Sequence, residues 1–253
     1  MTLLDTPLTE LEVSPRTARY LSELDVTSLG QLLALSSLEA SPRILEELHS
    51  LFDELDVAYE GEFVLQSTGP VQRVSGTVAE RWSTIRAWLQ AEHPGRLAEF
   101  QPGAPPSALC AAETAFGLLL PEEYTEFVRL HDGQEPGAPM VCSASLLPLD
   151  QVVRRQRILA DLFPQRASIP ADGVDAEVRA VEFSERWIPI GVSARGRDVL
   201  CLDLDPTAAG QSGQVILVVL DDDIRLRVAT GFAEFLGRYF EEAQTGEVDL
   251  DDD

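Results

Sequence analysis

The run WIPIGVSARGRDVLCLDLDPTAAGQSGQVILVVL, residues 187–220, decides the fold class. Trp187-Ile188-Pro189-Ile190, Val199 to Leu204 and Gln214 to Leu220 are apolar segments of strand length. Turn residues at Gly191 to Arg197 and at Pro206 to Gly213 separate them. Connections of hairpin length return a strand beside its predecessor, so antiparallel pairing is expected. Upstream, Leu146 to Leu149 reads as a further strand. Residues 164–186, with Pro164, Pro170 and Gly173, are polar and irregular and read as a surface loop.

Helices are expected around this sheet. Val78, Trp82, Ile85 and Leu89 fall on one helical face, and His93-Pro94-Gly95 ends it. Ser107 is placed to cap a helix bearing Leu109, Ala112 and Phe116, with Gly117 just past its end, where a left-handed residue is favoured. Pro121 opens a helix that buries Tyr124, Phe127, Val128 and Leu130, carries His131 in its last turn and stops at Gly133. Asp150 is placed to cap another through Val152, Val153 and Leu159. A final helix, about Gly231 to Ala243, presents Phe232, Phe235, Leu236 and Tyr239. The expectation is an α+β domain over residues 77–246, a mainly antiparallel sheet packed by helices.

Residues 1–62 read differently. Three short amphipathic segments start after Ser14-Pro15, after Asp25-Val26-Thr27-Ser28 and near Ser41-Pro42, and they predict a small helical bundle. Residues 63–76, including Gly69-Pro70, read as a linker, with a short extended piece at Phe63-Val64-Leu65. Residues 247–253 form an acidic tail.

Charge narrows the function. Nineteen basic against 43 acidic side chains give a formal net charge of −24. Nucleic-acid backbones repel a surface of that sign, so direct nucleic-acid binding is not expected, whereas basic proteins are attracted and steered to it. No stretch approaches the length of a membrane span, and the N-terminus MTLLDTPLTELE carries acid where a targeting peptide carries base. The reading is a soluble, cytoplasmic protein. Cys110, Cys142 and Cys201 lie far apart in hydrophobic contexts and read as buried free thiols. His49, His93 and His131 make no metal-ligand spacing with any neighbour.

Two resemblances follow. Pro7-Leu8-Thr9-Glu10-Leu11-Glu12-Val13-Ser14-Pro15-Arg16, with Leu21, Val26-Thr27, Gly30, Leu32-Leu33 and Ser36, resembles the C-terminal domain of the bacterial RNA polymerase alpha subunit. That family binds DNA through an arginine at the position of Arg16 and through a later basic hairpin. Here Leu38-Glu39-Ala40-Ser41-Pro42-Arg43 replaces the hairpin, and residues 1–60 hold three arginines against twelve acids. The resemblance implies the fold, and the missing hairpin and the acidic balance leave a protein-docking or packing role rather than DNA binding.

The second resemblance covers roughly residues 80–245. Phe116-Gly117-Leu118, Leu120-Pro121-Glu122-Glu123-Tyr124, Phe127, Leu130-His131-Asp132-Gly133, Trp187-Ile188-Pro189-Ile190-Gly191, Leu200-Cys201-Leu202-Asp203, Asp205-Pro206 and Gly213-Gln214-Val215 are similar to the SUKH superfamily. That superfamily includes yeast cell-wall synthesis regulators and bacterial toxin-immunity proteins. It implies a binding protein whose signature positions are architectural.

Chemistry-bearing candidates are few. The sequence contains no phosphate-binding glycine loop and no nucleophile elbow, and His131-Asp132, adjacent at a helix end, do not face each other. No enzyme activity and no cofactor are expected. Asp203 and Asp205, two apart on a strand, leave the same face. With Asp198 and the run Asp221-Asp222-Asp223 they offer an acidic cluster, read as a solvated turn, a cation site or a patch for a basic partner. The last is the reading taken, with no metal assigned. The function expected is a non-enzymatic, immunity-type protein neutralising a basic bacterial toxin or nuclease. The alternative is an intracellular scaffold or transcription-linked regulator that uses the N-terminal unit to dock a second partner.

Overall fold

A computed structural model describes residues 3–11, 13–40, 42–65, 71–165, 167–248 and 250. Gly69-Pro70 of the expected linker, Ser41, most of the acidic tail and the side chain of Arg16 lie outside the described residues. The chain divides into two compact units, residues 1–71 with 243–253, and residues 72–242.

In the first unit, α1 (Pro15–Glu23) starts where expected. The Ser14 hydroxyl accepts from the Thr17 amide and Pro15 occupies the first turn. Ser28 caps α2 (Leu29–Leu33) in the same way. Next come β1 (Ser37–Ala40), α3 (Pro42–Glu54) and β2 (Glu62–Leu65). The expected all-helical bundle is corrected here. β1 and β2 pair in parallel, Ser37 opposite Glu62 and Ala40 opposite Leu65, with α3 as the crossover that parallel strands require. Leu38 and Ala40 turn into the core with Leu21, Leu29, Leu32, Leu48 and Phe52, while Ser37 and Glu39 stay exposed. Four residues with two apolar positions were too short a period to read as a strand.

The second unit opens with α4 (Val78–Glu92), where Thr77 and Glu80 form a reciprocal capping box. α5 (Pro94–Ala98) and α6 (Pro106–Phe116) follow. α6 begins one residue before Ser107, with Pro106 at its first position and no side-chain cap, so the Ser107 cap is corrected. It ends as expected on Gly117, at φ +66°. α7 (Glu122–Leu130) buries Tyr124, Phe127 and Val128, but Leu130 is largely exposed rather than buried.

β3 (Ala144–Leu146) is shifted toward the N-terminus of the expected strand, because Leu149 already opens α8 (Leu149–Leu162). Then come β4 (Trp187–Ser193), β5 (Asp198–Asp203), β6 (Gln214–Val219), β7 (Arg225–Ala229) and α9 (Phe232–Thr245). The five strands lie in the order β3-β4-β5-β6-β7, all neighbours antiparallel. The protein is therefore α+β. β7 escaped the sequence reading because its alternation is inverted. Arg225 is buried, while Leu226 is 38% exposed.

Both faces of the central strands are covered. Alternation places Val199 and Cys201 on one face and Leu200 and Leu202 on the other, and all four are fully buried. One face packs with Leu159 of α8, Val178, Phe183 and Trp187. Residues 164–186 are thus more than a surface loop. Phe183 meets the Trp187 ring edge-on at 5.8 Å, and Ser168 bridges Val181. Aromatic contacts also join α4, α7 and α9, through Trp82 to Phe127 at 5.2 Å and Phe127 to Phe232 at 5.1 Å. Neither sheet edge lies open. Gln134 bonds Leu146 of β3 through its amide and its side chain, and residues 173–175 bond β7.

Candidate functional site

The six aspartates singled out from the sequence do not form one cluster. Antiparallel register sets Asp203 opposite Gln214 and Asp198 opposite Val219. Five residues at roughly 3.3 Å each separate the two ends of β5 by about 17 Å. Asp203 and Asp205 therefore belong to one end of the sheet, and Asp198 and the 221–223 hairpin to the other.

Asp203 is fully buried, which corrects its assignment as a partner-binding residue. Its Oδ1 accepts from Trp187 Nε1 at 3.0 Å and from the Asp205 amide at 2.8 Å, and its Oδ2 accepts from Gln214 Nε2 at 2.9 Å. Gln214 is itself held, donating to the Glu177 carbonyl at 3.1 Å and accepting from the Gln211 amide at 3.1 Å. Burial pushes the Asp203 carboxyl above the ordinary carboxylate range, against the pull of these three donors. The carboxylate ties β4, β5, β6 and the turn after β5 together. Asp205 pairs with Arg179 at 3.0 Å and is half-buried.

The opposite end is built around Arg225. Its Nη1 donates to the carbonyls of Val219, Asp222 and Ile224, at 2.8, 2.9 and 2.7 Å, and its Nη2 to that of Glu182 at 2.9 Å. One buried guanidinium thus braces the β6–β7 hairpin from inside and explains the inverted pattern of β7. Outside, Asp221, Asp222 and Asp223 are all exposed. Asp221 pairs with Arg197 at 2.7 Å, with both side chains more than half exposed, and Asp222 accepts from the Asp223 amide at 2.8 Å. Asp198 is half-buried at the same end, its amide donating to Ser193 Oγ. Among the described residues no three His, Cys, Asp or Glu side chains gather to hold a metal ion.

The remaining sequence candidates are structural. Asp132 Oδ1 accepts from the Leu149 amide at 2.8 Å, so Asp132, rather than Asp150, satisfies the first turn of α8. A side chain at Gly133, which has φ +79°, would strike the Pro148 nitrogen. His131 packs edge-on against Trp82 and Phe100 and tilted against Phe127, and its Nδ1 lies 3.0 Å from the Gln101 carbonyl. Burial lowers its pKa, as befits a neutral packed ring. All three cysteines are free. Cys110 is exposed and Cys142 half-buried, so only Cys201 fits the expectation of a buried thiol. Burial, then the neighbouring Asp203 charge, pushes the Cys201 thiol far up, away from reactivity.

In the first unit, the α1 N-terminus is already occupied by a carboxylate. The Ser14 amide donates to Glu47 Oε1, while the hydroxyls of Ser14, at 2.7 Å, and of Thr17 donate to Glu47 Oε2. A phosphate brought there would meet negative charge in place of free amides.

Fold and interior together define an α+β domain whose buried polar groups hold strands and helix ends in place. The chain belongs to the SMI1 / KNR4 family (SUKH-1), whose model matches residues 103–238. It is 27% identical over 192 residues to the Schizosaccharomyces pombe protein named cell wall biosynthesis/cell cycle regulator smi1, covering 70% of this chain and 38% of that protein. A Neurospora crassa glucan synthesis regulatory protein is 24% identical over 253 residues, covering 84% and 47%, and KNR4/SMI1 homolog 2 of Debaryomyces hansenii is 22% identical over 218 residues, covering 67% and 36%. The chain spans less than half the length of these relatives. The first two are named as regulators, and all three are fungal. Neither their names nor the family match supports toxin immunity or a bacterial setting. The match at 103–238 leaves the polymerase-like resemblance of residues 7–36 unsupported. Among the described residues, no helix is long and apolar enough to cross a membrane.

Proposed function

We propose that the protein is a non-enzymatic, cytoplasmic regulator that binds a basic protein partner at the Asp221–Asp223 end of its sheet. The observation that carries this reading is the hairpin itself, three exposed carboxylates on a backbone braced by the buried Arg225. A braced hairpin loses little entropy on binding, and the −24 net charge steers a basic surface toward it. The relatives named as regulators favour this reading over catalysis. Neutralisation of a basic toxin or nuclease is a narrower form of the same chemistry, and only the charge favours it. Nucleic acid is not a partner in this proposal, since the α1 N-terminus is filled by Glu47. The division into two compact units, with Phe63–Leu65 of the expected linker belonging to the first unit's sheet, supports a second role in which that unit docks another protein.

The test uses the full chain as bait at low and high salt, followed by association kinetics with the partner recovered. The expected partner is basic, associates at least about tenfold more slowly in high salt, and is weakened about tenfold or more by Asp221→Asn/Asp222→Asn/Asp223→Asn. Salt-independent association, or full affinity in the triple variant, overturns the reading. A captured toxin whose lethality the chain relieves on co-expression selects the immunity form. A housekeeping component selects the regulatory one.

A further inference from the structure

The outer face of α8 has chemistry opposite to the rest of the molecule. Every basic residue of the chain is an arginine, and three of the nineteen, Arg154, Arg155 and Arg157, fall within four positions of this helix. In a chain with 43 acids, ion-pair partners are plentiful. Yet among the described residues the side chain of neither Arg154 nor Arg157, both exposed, makes an ion pair or a hydrogen bond. Ile158 and Leu162, at spacings of four along the same stripe as Arg154, are 47% and 60% exposed. A groove of about 440 Å³ runs beside this stripe, lined by Leu147, Arg154, Arg155, Ile158 and Val192. It shares Leu147, Gln151 and Val192 with a second hollow of about 170 Å³ that continues it toward Gln134.

Arg155 adds a separate indication. Its Nη2 donates to the Gly196 carbonyl at 2.6 Å, which fixes the side chain, but its Nε is buried without an acceptor. The guanidinium as a whole lines the groove, and a carboxylate is the acceptor that its geometry fits best. Asp150 also lines the groove, in the first turn of α8, where the helix N-terminus offsets its charge.

We propose that this face docks an acidic segment of a partner protein, one that carries one or two large apolar side chains. The apolar side chains would seat on Ile158, Leu162 and Val192, and the flanking carboxylates on Arg154, Arg155 and Arg157. The chain's own net charge repels such a segment at long range. At physiological salt that repulsion is screened beyond about 8 Å, while the arginines act at contact. This surface is distinct from the acidic hairpin and takes a partner of opposite charge, so the two proposals stand or fall separately.

The test is fluorescence anisotropy of the full-length protein with labelled peptides of about twelve residues. One peptide carries Asp and Glu around two leucines spaced four apart. A second replaces its acids by lysine, and a third replaces its leucines by serine. The acidic apolar peptide is expected to bind, and the other two at least about tenfold more weakly. Arg154→Glu/Arg157→Glu and, separately, Ile158→Ser are each expected to weaken it about tenfold or more. Because these three side chains are exposed, unchanged circular dichroism and melting should accompany the loss. No binding of the acidic apolar peptide up to about 1 mM, equal binding of the lysine peptide, or unaltered affinity in the variants overturns the proposal. Two other occupants overturn it as well. A dimer in sedimentation that Ile158→Ser dissolves makes the face a self-interface. Peptide binding that appears only once residues 247–253 are deleted makes the tail its occupant.

Discussion

The two ends of the five-stranded sheet use the same residue type for opposite purposes. At one end Asp203 is sealed inside, with both oxygens engaged by an indole, an amide and a glutamine. At the other, Asp221, Asp222 and Asp223 stand in water while a buried arginine holds the backbone beneath them. The difference lies in what each carboxylate displaces. A buried carboxylate gives up its hydration and must be fully hydrogen-bonded, so it ends as a structural joint. An exposed one keeps its hydration and is available to steer a partner.

The comparison breaks most clearly at Asp203. Asp203→Ala strands the Trp187 indole, the Gln214 amide and the Asp205 backbone donor together. It should cost about 3–5 kcal/mol, measured by urea unfolding. A loss below about 1 kcal/mol would show the joint to be ornamental. Next in size, Arg225→Met leaves four carbonyls without their shared donor and should cost about 2–4 kcal/mol. Hydrogen exchange should then rise across residues 219–225 while β5 stays protected. Uniform exchange over both strands would mean that the hairpin is not a separate unit.

Smaller still is a pH effect. Burial raises the Asp203 carboxyl above its ordinary value, so the folded state holds its proton over a range where the unfolded chain has released it. That contribution favours folding at the low end of the range and is lost as pH rises through the folded pKa. Subtracting the unfolding free energies of Asp203→Asn from those of the wild type, point by point upward from pH 3.8, should give a difference that falls with pH. A difference that rises instead would place the folded pKa below the unfolded one. The smallest stability effect belongs to the exposed end. Asp221→Asn/Asp222→Asn/Asp223→Asn should change unfolding by less than about 0.5 kcal/mol per site while slowing capture of a basic partner. A large destabilisation there would erase the contrast between the ends.

Much of the fold was legible because it depends on local signals. The strand segments at 187–190, 199–204 and 214–220, the helix that stops on Gly117 and the amphipathic faces of α4, α7 and α9 all follow from periodicity and turn chemistry. SLEA of β1 is too short to carry a period, and β7 hides because Arg225 turns inward while Leu226 is exposed. The candidate site was less legible. All six aspartates stand out in the sequence, but nothing local says which end of the sheet each one occupies, and the register of β5 against β6 divides them. Asp132 stands beside His131 in the sequence, but its partner is the Leu149 amide seventeen residues on. No local pattern marks a carboxylate that caps a helix so far downstream.

What the sequence by itself determined is the α+β composition, the order of most elements and the kinship with the SUKH group, because each rests on residues close together in the chain. Only the tertiary structure decided which charges are inside. Burial of Asp203 and Arg225, the inward turn of Val178 and Phe183, and the side chains of Arg154 and Arg157 without partners among the described residues depend on what covers a side chain from elsewhere in the fold. Desolvation is set by all the neighbours at once, and a local sequence window contains only a few of them.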